Sequence, residues 1–524
     1  MKIIKRSILA VSLFLPSILW CQDLNIIPYP SMLEKQEGYF KLTPQTVIVP
    51  GKNLESKAIQ LRAYLYPATG FDLRIGSTDI RSSQIILNLN ENLENLGVEG
   101  YTLEVTENKI LIEALHPKGI FYGVQTLLQL LPGEIFRHAK VEDMEWTIPN
   151  CRIEDSPQFE WRGLMIDYSR TFWDKRISRK YLDAMALYKL NKLHMHLTDD
   201  QGWRVEISRY PLLTEIASKF DTSFHEPEER EGYFSQADIK ELISYAAERN
   251  IELIPEIEMP GHSSEVFSVY PELSCKGDTL KIHPFTLGPG IHKEIFCAGN
   301  DETFVFIKDV LSEIIELFPS EYVHIGGDEA PKDHWKECPE CQQRITDEGL
   351  RDEHELQSWF IKQIEAYLAS RGKTMIGWDE ITEGGLSKTA TVMYWRGWKT
   401  EMPEFVLDQG NDIIMTPTSH CYFDYTYETT STKKVYSYAP MQGDLKKEYK
   451  EQILGVQANY WSHLNRIEPE MDRQIFPRML ALAEVGWLEE SAKDWESFAL
   501  RMNQHLRILD LLDVKYYKNE QAND

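Results

Sequence analysis

Cysteine is scarce in this chain, seven in 524 residues, far too few for a fold held by a disulfide framework. Basic residues are also in short supply. Lys and Arg number 56 against 82 Asp and Glu, a formal net charge of −26. Such a surface repels nucleic acid and anionic membranes, although it leaves room for a local basic pocket around one anionic group. After about the first twenty residues no apolar run approaches the length of a membrane span. Internal repeats and low-complexity linkers are missing as well. These absences leave a globular chain of roughly 500 residues, enough for more than one domain and a large core.

The amino terminus reads as an address. Lys2, Lys5 and Arg6 precede an apolar run from Ile8 to Trp20, too short to cross a bilayer but suited to a secretory signal. Cleavage after Cys21 would leave Gln22 first. Lipid attachment at Cys21 is the competing reading, and bulky Trp20 argues against it. The expected product is exported: periplasmic, on the outer surface or secreted. Cys275 and Cys297 fall in one long loop and could pair in an oxidising compartment. Cys338-Pro-Glu-Cys341 resembles half of a zinc site, but no second Cys or His pair stands at finger spacing. A local crosslink or two free thiols is expected there, with no metal and no cofactor.

Four segments are expected: the signal at 1–21, a small α+β domain at 22–155, a (β/α)8 barrel at 156–490, and a helix with a polar tail at 491–524. In the first domain, Gly100–Val105 and Lys109–Glu113 alternate apolar and polar residues around the turn Thr106-Glu107-Asn108 and predict a hairpin. Ile120, Val124, Leu127, Leu128 and Leu131 then recur at helical spacing. After Pro157 the rhythm becomes strand, loop, helix. The strand candidates are Trp161–Tyr168, Lys192–Leu197, Ile251–Ile257, Tyr322–Ile325, Thr374–Trp378, Thr391–Trp395, Asp412–Met415 and Ile453–Ala458. Eight such runs point to an α/β fold, the (β/α)8 barrel, whose active site lies at the carboxyl ends of its strands.

Unusual residues gather at those ends. They are Asp167 and Arg170, Asp199 and Asp200, His262, Asp328 and Glu329, Trp378 and Asp379, Trp395, Tyr422 and Asp424, and Trp461 and His463. The most informative stretch is Val323-His324-Ile325-Gly326-Gly327-Asp328-Glu329. A short buried strand ends there in a glycine pair and delivers two adjacent acids. Taken alone, such a pair can be a solvated loop start. Two carboxyls whose surroundings push their pKa values apart can instead share one reaction as acid and charge stabiliser.

These residues resemble a known family, the bacterial β-N-acetylhexosaminidases of glycoside hydrolase family twenty. The likeness rests on three long motifs in order: His194-Met195-His196-Leu197-Thr198-Asp199-Asp200-Gln201-Gly202-Trp203-Arg204, Ile254-Pro255-Glu256-Ile257-Glu258-Met259-Pro260-Gly261-His262, and His324-Ile325-Gly326-Gly327-Asp328-Glu329. The first domain adds Glu99-Gly100-Tyr101-Thr102-Leu103 and Gln125–Leu130. The resemblance implies an exo-acting, retaining glycosidase working on an oligosaccharide or glycoprotein glycan. In that family the 2-acetamido oxygen of the sugar attacks C1 and forms an oxazolinium, an exception to the two-carboxylate scheme. By the same likeness Glu329 is the acid/base, Asp328 polarises the acetamido N–H, and Tyr422 bonds the acetamido oxygen. Trp378, Trp395 and Trp461 wall the sugar, Arg170 forks onto hydroxyls, His262 and Asp199 tune the acid, and Asp424 takes outer hydroxyls. Singly, a Trp is more often core packing and a His more often a satisfied structural residue, while Arg170 could equally be a structural ion pair and Asp424 a solvated loop acid. His194, His196 and His324 are expected in hydrogen bonds around the rim.

One position departs from the pattern. In Ala458-Asn459-Tyr460-Trp461-Ser462-His463, His463 stands where the family usually has a Glu that accepts from the 4- and 6-hydroxyls. Losing a charge-assisted hydrogen bond there costs on the order of 1.5–3 kcal/mol for a plain sugar. A 6-sulfated N-acetylglucosamine would lose a repulsion. Simple drift is the bland alternative. Two rival functions remain open from sequence. A metal-dependent hydrolase could use His194-x-His196, and a non-catalytic glycan-binding barrel could keep the fold without turnover. Linkage, GlcNAc against GalNAc preference and oligomeric state are left open.

Overall fold

The structure is a computed structural model that describes residues 24–518 except 78–82, 228–229, 286–291, 442–444 and 446. The expected leader, with Cys21, lies outside the described residues, as do the last six residues of the expected tail, 519–524.

Seven strands build the first sheet: β1 (Met32–Leu42), β2 (Val47–Pro50), β3 (Arg74–Ile75), β4 (Gln84–Leu89), β5 (Tyr101–Val105), β6 (Lys109–Ala114) and β7 (Trp146–Asp155). Their order is β1-β7-β5-β6-β4-β2-β3. The expected hairpin is β5–β6, closed by Thr106 N donating to Lys109 O at 2.8 Å. Its alternation is visible in burial, with Tyr101, Leu103, Val105, Ile110, Ile112 and Ala114 all inside. The helix Pro117–Leu130 begins with Pro117 at its first position, capped by His116. It is buried on every side from Gly119 to Leu130, because the sheet covers one face and the barrel the other. Gly119 and Gly123 let it lie directly on the sheet, since a Cβ at either would overlap the Gly100 carbonyl or the Ile112 side chain.

The barrel closes from eight parallel strands: β8 (Trp161–Asp167), β9 (Lys192–His196), β12 (Glu252–Glu256), β13 (Tyr322–His324), β14 (Thr374–Trp378), β15 (Thr391–Tyr394), β16 (Ile413–Met415) and β17 (Ile453–Tyr460). A two-stranded flap, β10 (Thr198–Asp199) with β11 (Gly202–Trp203), rises directly after β9. Each of the eight expected runs is thus a barrel strand. Such strands are buried on both faces and therefore read as near-continuous apolar runs. The surrounding helices are capped by side chains. Ser235 and Asp238 form a reciprocal capping box for Gln236–Ala247, and Asn300 caps Asp301–Leu317.

Inward-facing side chains are layered along the barrel. Trp161, Ile254, Ile376, Trp378, Met393, Ile414 and Leu454 form an apolar plug. Toward the carboxyl ends lie fully buried His194, His196, Glu256, His324, Gln457 and Asn459. A second polar node joins the two domains. Asp155, at the end of β7, accepts from Ser31 N (3.0 Å), Tyr101 Oη (2.7 Å), Lys189 Nζ (2.9 Å) and Trp487 Nε1 (2.8 Å). Arg162 of β8 pairs with Glu99 at 2.8 Å across the same junction. The final helix, Trp495–Leu511, docks through Arg501, which bonds Glu484 and the carbonyl of Ile26. No described helix is long and apolar enough to cross a membrane.

The cysteines do not follow the expected pairing. None of the six described thiols is in a disulfide. Cys275 and Cys297 lie beside Cys338 and Cys341, all four sulfurs within 4.8 Å of one another.

Candidate active site

The glycine pair after β13 explains how the two acids are presented. Gly326 and Gly327 both take left-handed φ values, +68° and +91°, which glycine adopts without steric cost. A Cβ on Gly326 would overlap the carboxyl of Glu258, and one on Gly327 would press on Ile381. The chain then turns so that Asp328 points inward, 8 % exposed, while the Glu329 side chain is 36 % exposed. Glu329 itself has φ +43° and His262 has φ +47°. Left-handed backbone at non-glycine residues costs on the order of 1–3 kcal/mol each and tends to persist at functional sites.

His262 bridges the acids. Its Nε2 lies 3.7 Å from Asp328 Oδ2 and 3.5 Å from Glu329 Oε2, while Nδ1 lies 3.3 Å from Asp199 Oδ1 and 3.2 Å from Asp200 Oδ2. Burial disfavours the imidazolium, but the charge of Asp199, with hydrogen bonds donated to Asp199, Asp200 and Glu329, outweighs it and holds the His262 pKa well above its ordinary value. Asp328 moves to about 6, raised by burial and by Glu329 and restrained by His262. The chain of contacts continues behind Asp199, whose Oδ2 is 3.0 Å from His196 Nε2. His196 Nδ1 in turn meets Glu256 Oε2 at 2.5 Å. Burial again opposes charge on His196, and Glu256 with Asp199 raises it to about 10.

Both nitrogens of His196 are thus held by protein carboxylates, and His194 Nδ1 is paired with Gln457 Nε2 at 3.0 Å. His324 Nδ1 accepts from the Gly326 amide at 3.0 Å. The histidine pair invoked for a metal hydrolase therefore takes part in the barrel's internal hydrogen bonding, while His194 Nε2, 3.0 Å from Glu256 Oε2, has no hydrogen-bond partner among the described residues.

Aromatic rings form the opposite side. Trp378 donates Nε1 to Glu256 Oε1 at 2.8 Å and packs 6.0 Å from Trp461. Trp395 donates to Glu380 Oε2 at 2.8 Å and stacks 6.2 Å from Tyr422, which lies 6.4 Å from Trp461. Burial, then the charges of Asp424 and Asp328, raises the Tyr422 phenol well above its ordinary value, so it remains a donor. Arg170 stacks 4.9 Å over Trp461. Its Nη2 pairs with Asp199 at 2.5 Å and Nε donates to Gln201 at 3.0 Å. The expected fork onto hydroxyls is therefore mostly engaged by the protein, and Nη1 alone has no hydrogen-bond partner among the described residues.

Asp328 Oδ1, Asp424 Oδ1 and both Glu258 oxygens share that condition, buried without a hydrogen-bond partner among the described residues. Unsatisfied buried polar atoms are costly, and here they sit with the site residues, where a ligand can satisfy them. Burial lifts the Asp424 carboxyl to about 7. His463 packs against the Phe285 ring at 4.6 Å, and burial followed by the charge of Arg170 lowers it to about 4. Among the described residues no hydrogen bond or ion pair joins Asp424 or His463 to Asp328 or Glu329.

Sequence reasoning singled out no role for Glu258 or Glu380. Burial and the charge of Asp328 hold both well above the usual carboxylate range. For Glu258 a signal existed, since Glu256 and Glu258 alternate onto the barrel interior at the end of β12. Glu380 had none.

A model of the catalytic domain of glycosyl hydrolase family 20 matches residues 159–490, and a model of that family's domain 2 matches residues 23–156. The chain belongs to glycosyl hydrolase family 20. A β-hexosaminidase of Porphyromonas gingivalis is 38 % identical over 95 % of this chain, and the chain spans 64 % of that protein's length. A β-N-acetylhexosaminidase of Streptomyces coelicolor superposes with a TM-score of 0.84 at 29 % identity, covering 95 % of this chain and 98 % of that one. A Vibrio harveyi exo-β-N-acetylglucosaminidase, solved with N-acetylglucosamine, gives 0.84 at 30 % identity, covering 94 % and 78 %. This family-20 chain is a glycoside hydrolase of the β-N-acetylhexosaminidase type.

Proposed function

We propose that this family-20 enzyme removes terminal β-linked N-acetylhexosamine from glycans by substrate-assisted catalysis, with Glu329 as acid/base and Asp328 as the polarising carboxylate. The observation that carries this reading is the buried Asp328 oxygen without a hydrogen-bond partner among the described residues, on a carboxyl whose charge acts on Tyr422 in the aromatic group with Trp378, Trp395 and Trp461. The acetamido N–H is a donor that an N-acetylhexosamine, unlike a plain hexose, can offer to that oxygen. With the Tyr422 hydroxyl on the acetamido carbonyl oxygen, the group is turned toward C1.

In the first step the acetamido oxygen forms a bond to C1 as the bond from C1 to the leaving oxygen breaks. The Glu329 proton passes to that oxygen. The oxazolinium cation is then balanced by ionised Asp328. In the second step water adds to C1, its proton returns to Glu329, and the ring opens. Two displacements at C1 retain the β configuration. His262 carries positive charge beside both acids, which favours the carboxylate of Asp328 and steadies Glu329 once it has lost its proton.

At the sugar's outer edge, the substrate includes N-acetylglucosamine sulfated at the 6-hydroxyl. His463 is neutral at pH 7, since it is lowered to about 4, so this wall offers a donor without a negative charge, next to Arg170. Rates on a chromogenic N-acetylglucosaminide, its 6-sulfated form and the matching 2-hydroxy glucoside test both parts. The acetamido group should be indispensable and the sulfated sugar accepted at least as well as the plain one. Hydrolysis of the glucoside overturns the mechanism, and clear preference for the plain sugar overturns the outer-edge reading. Residues 1–21 act as an export signal, which the amino-terminal sequence of the mature protein tests.

A further inference from the structure

The four clustered thiols come from two distant parts of the chain. Cys275 and Cys297 belong to the long connection after β12. Cys338 joins the helices Asp333–Glu337 and Pro339–Asp347, and Cys341 lies in the first turn of the second. The connection is fastened to these helices by Trp335 Nε1 donating to the Phe296 carbonyl at 2.9 Å and by Arg344 Nη2 reaching the Gly299 carbonyl at 3.2 Å. Gly299 permits the close approach, since a Cβ there would overlap the backbone at Glu340 and Cys341.

Sulfur separations decide what this cluster can be. They are 3.7 Å between Cys275 and Cys341, 3.8 Å between Cys297 and Cys338, and 3.6 Å between Cys297 and Cys341. Sulfurs in a disulfide stand about 2.05 Å apart. Four thiolates placed about 2.3 Å from a central zinc at tetrahedral angles are separated by roughly 3.8 Å. Three of the six separations match a tetrahedron's edges, and all four sulfurs lie within 4.8 Å of one another. Cys338-x-x-Cys341 is also the knuckle spacing of structural zinc sites. Its complementary pair is split by a long loop, which hid it from spacing arguments. Three of the four cysteines are buried and Cys275 is half-buried, so four protein ligands close the site and leave no open position for catalysis.

We propose that Cys275, Cys297, Cys338 and Cys341 bind one structural Zn²⁺. The ion replaces thiol protons on binding and undergoes no redox change. It clamps the 275–297 loop to the segment that follows Asp328 and Glu329. That loop carries Phe285, whose ring supports His463 at 4.6 Å. The zinc therefore steadies one wall of the sugar site from outside the barrel.

Metal analysis of the full chain, purified without chelator, tests the assignment. One zinc per chain is expected, with an intact mass unchanged by reduction. Protein from cobalt-supplemented medium should show the thiolate-to-metal and ligand-field absorption of tetrahedral Co²⁺, and Cys338→Ser with Cys341→Ser should lose both metal and absorption. Zinc-free wild-type protein overturns the proposal, whether its four thiols all react with an alkylating reagent or its mass rises on reduction.

Discussion

Replacing Asp328 by Asn isolates the charge on the inward acid while keeping its shape. Asp328 is 8 % exposed, and its neighbour His262 keeps Asp199 and Asp200 as counter-charges at 3.3 and 3.2 Å, so the fold should survive. The oxazolinium loses the carboxylate that balances it. One preorganised group of this kind is worth about 2.7–4 kcal/mol in a buried site, which is roughly 10²–10³ in rate at about 1.36 kcal/mol per tenfold. The expected loss falls on kcat and kcat/KM together, and a thiazoline mimic of the intermediate should weaken by a similar factor. The pH profile provides a second readout. Asp328 is raised to about 6 by burial and by Glu329, and in the proposed mechanism it acts as the carboxylate. The wild-type kcat/KM should therefore fall as pH drops through about 6, and that limb should vanish in Asp328→Asn. A variant with wild-type kcat/KM and an unchanged acid limb refutes the reasoning.

Three other outcomes follow from the same geometry. Gly326→Ala puts a methyl into the Glu258 carboxyl at φ +68°; overpacking costs typically 1–3 kcal/mol, so urea unfolding should show a loss of about that size together with low activity, and a neutral effect on both would contradict the packing. Lys189→Met strands Asp155 at the domain junction, where both partners are 0 % exposed, and should cost about 3–5 kcal/mol; a loss below about 1 kcal/mol would show that the remaining donors suffice. His196 is raised to about 10 and His262 moves in the same direction. Between the unfolded value near 6.5 and those folded values the native state holds protons that the unfolded chain has released, so stability is fully present below about 6.5 and declines as pH rises. Urea midpoints at neutral and at mildly alkaline pH should show that decline, and a flat curve would mean the two imidazoles are neutral.

Much of this was legible in the sequence because it is local. Each barrel strand is a short apolar run with a break at each end, and Gly326-Gly327 ahead of two acids marks a turn that must present them. Arg170 illustrates where local reading stops. The family resemblance suggested a fork onto hydroxyls, but Asp199 and Gln201 take most of its donors, and only the closed barrel brings them together. Glu258 and Glu380 gain their character from burial beside Asp328, a property of three separate strand ends. The cysteine cluster was missed for the same reason, since Cys275 and Cys341 meet at 3.7 Å from 66 positions apart. His463 was visible as a departure from the family pattern, yet the support of its ring by Phe285 was not.

The proposed reaction depends on the sugar's own amide making the bond to C1. Kinetics on aryl glycosides whose acetamido methyl carries none, one, two or three fluorines test this most directly, because each fluorine weakens the carbonyl oxygen as a nucleophile while leaving the leaving group unchanged. A steep, progressive fall in kcat across the series is expected. A flat series, with a sugar ester recovered on one of the enzyme's carboxylates, would contradict it.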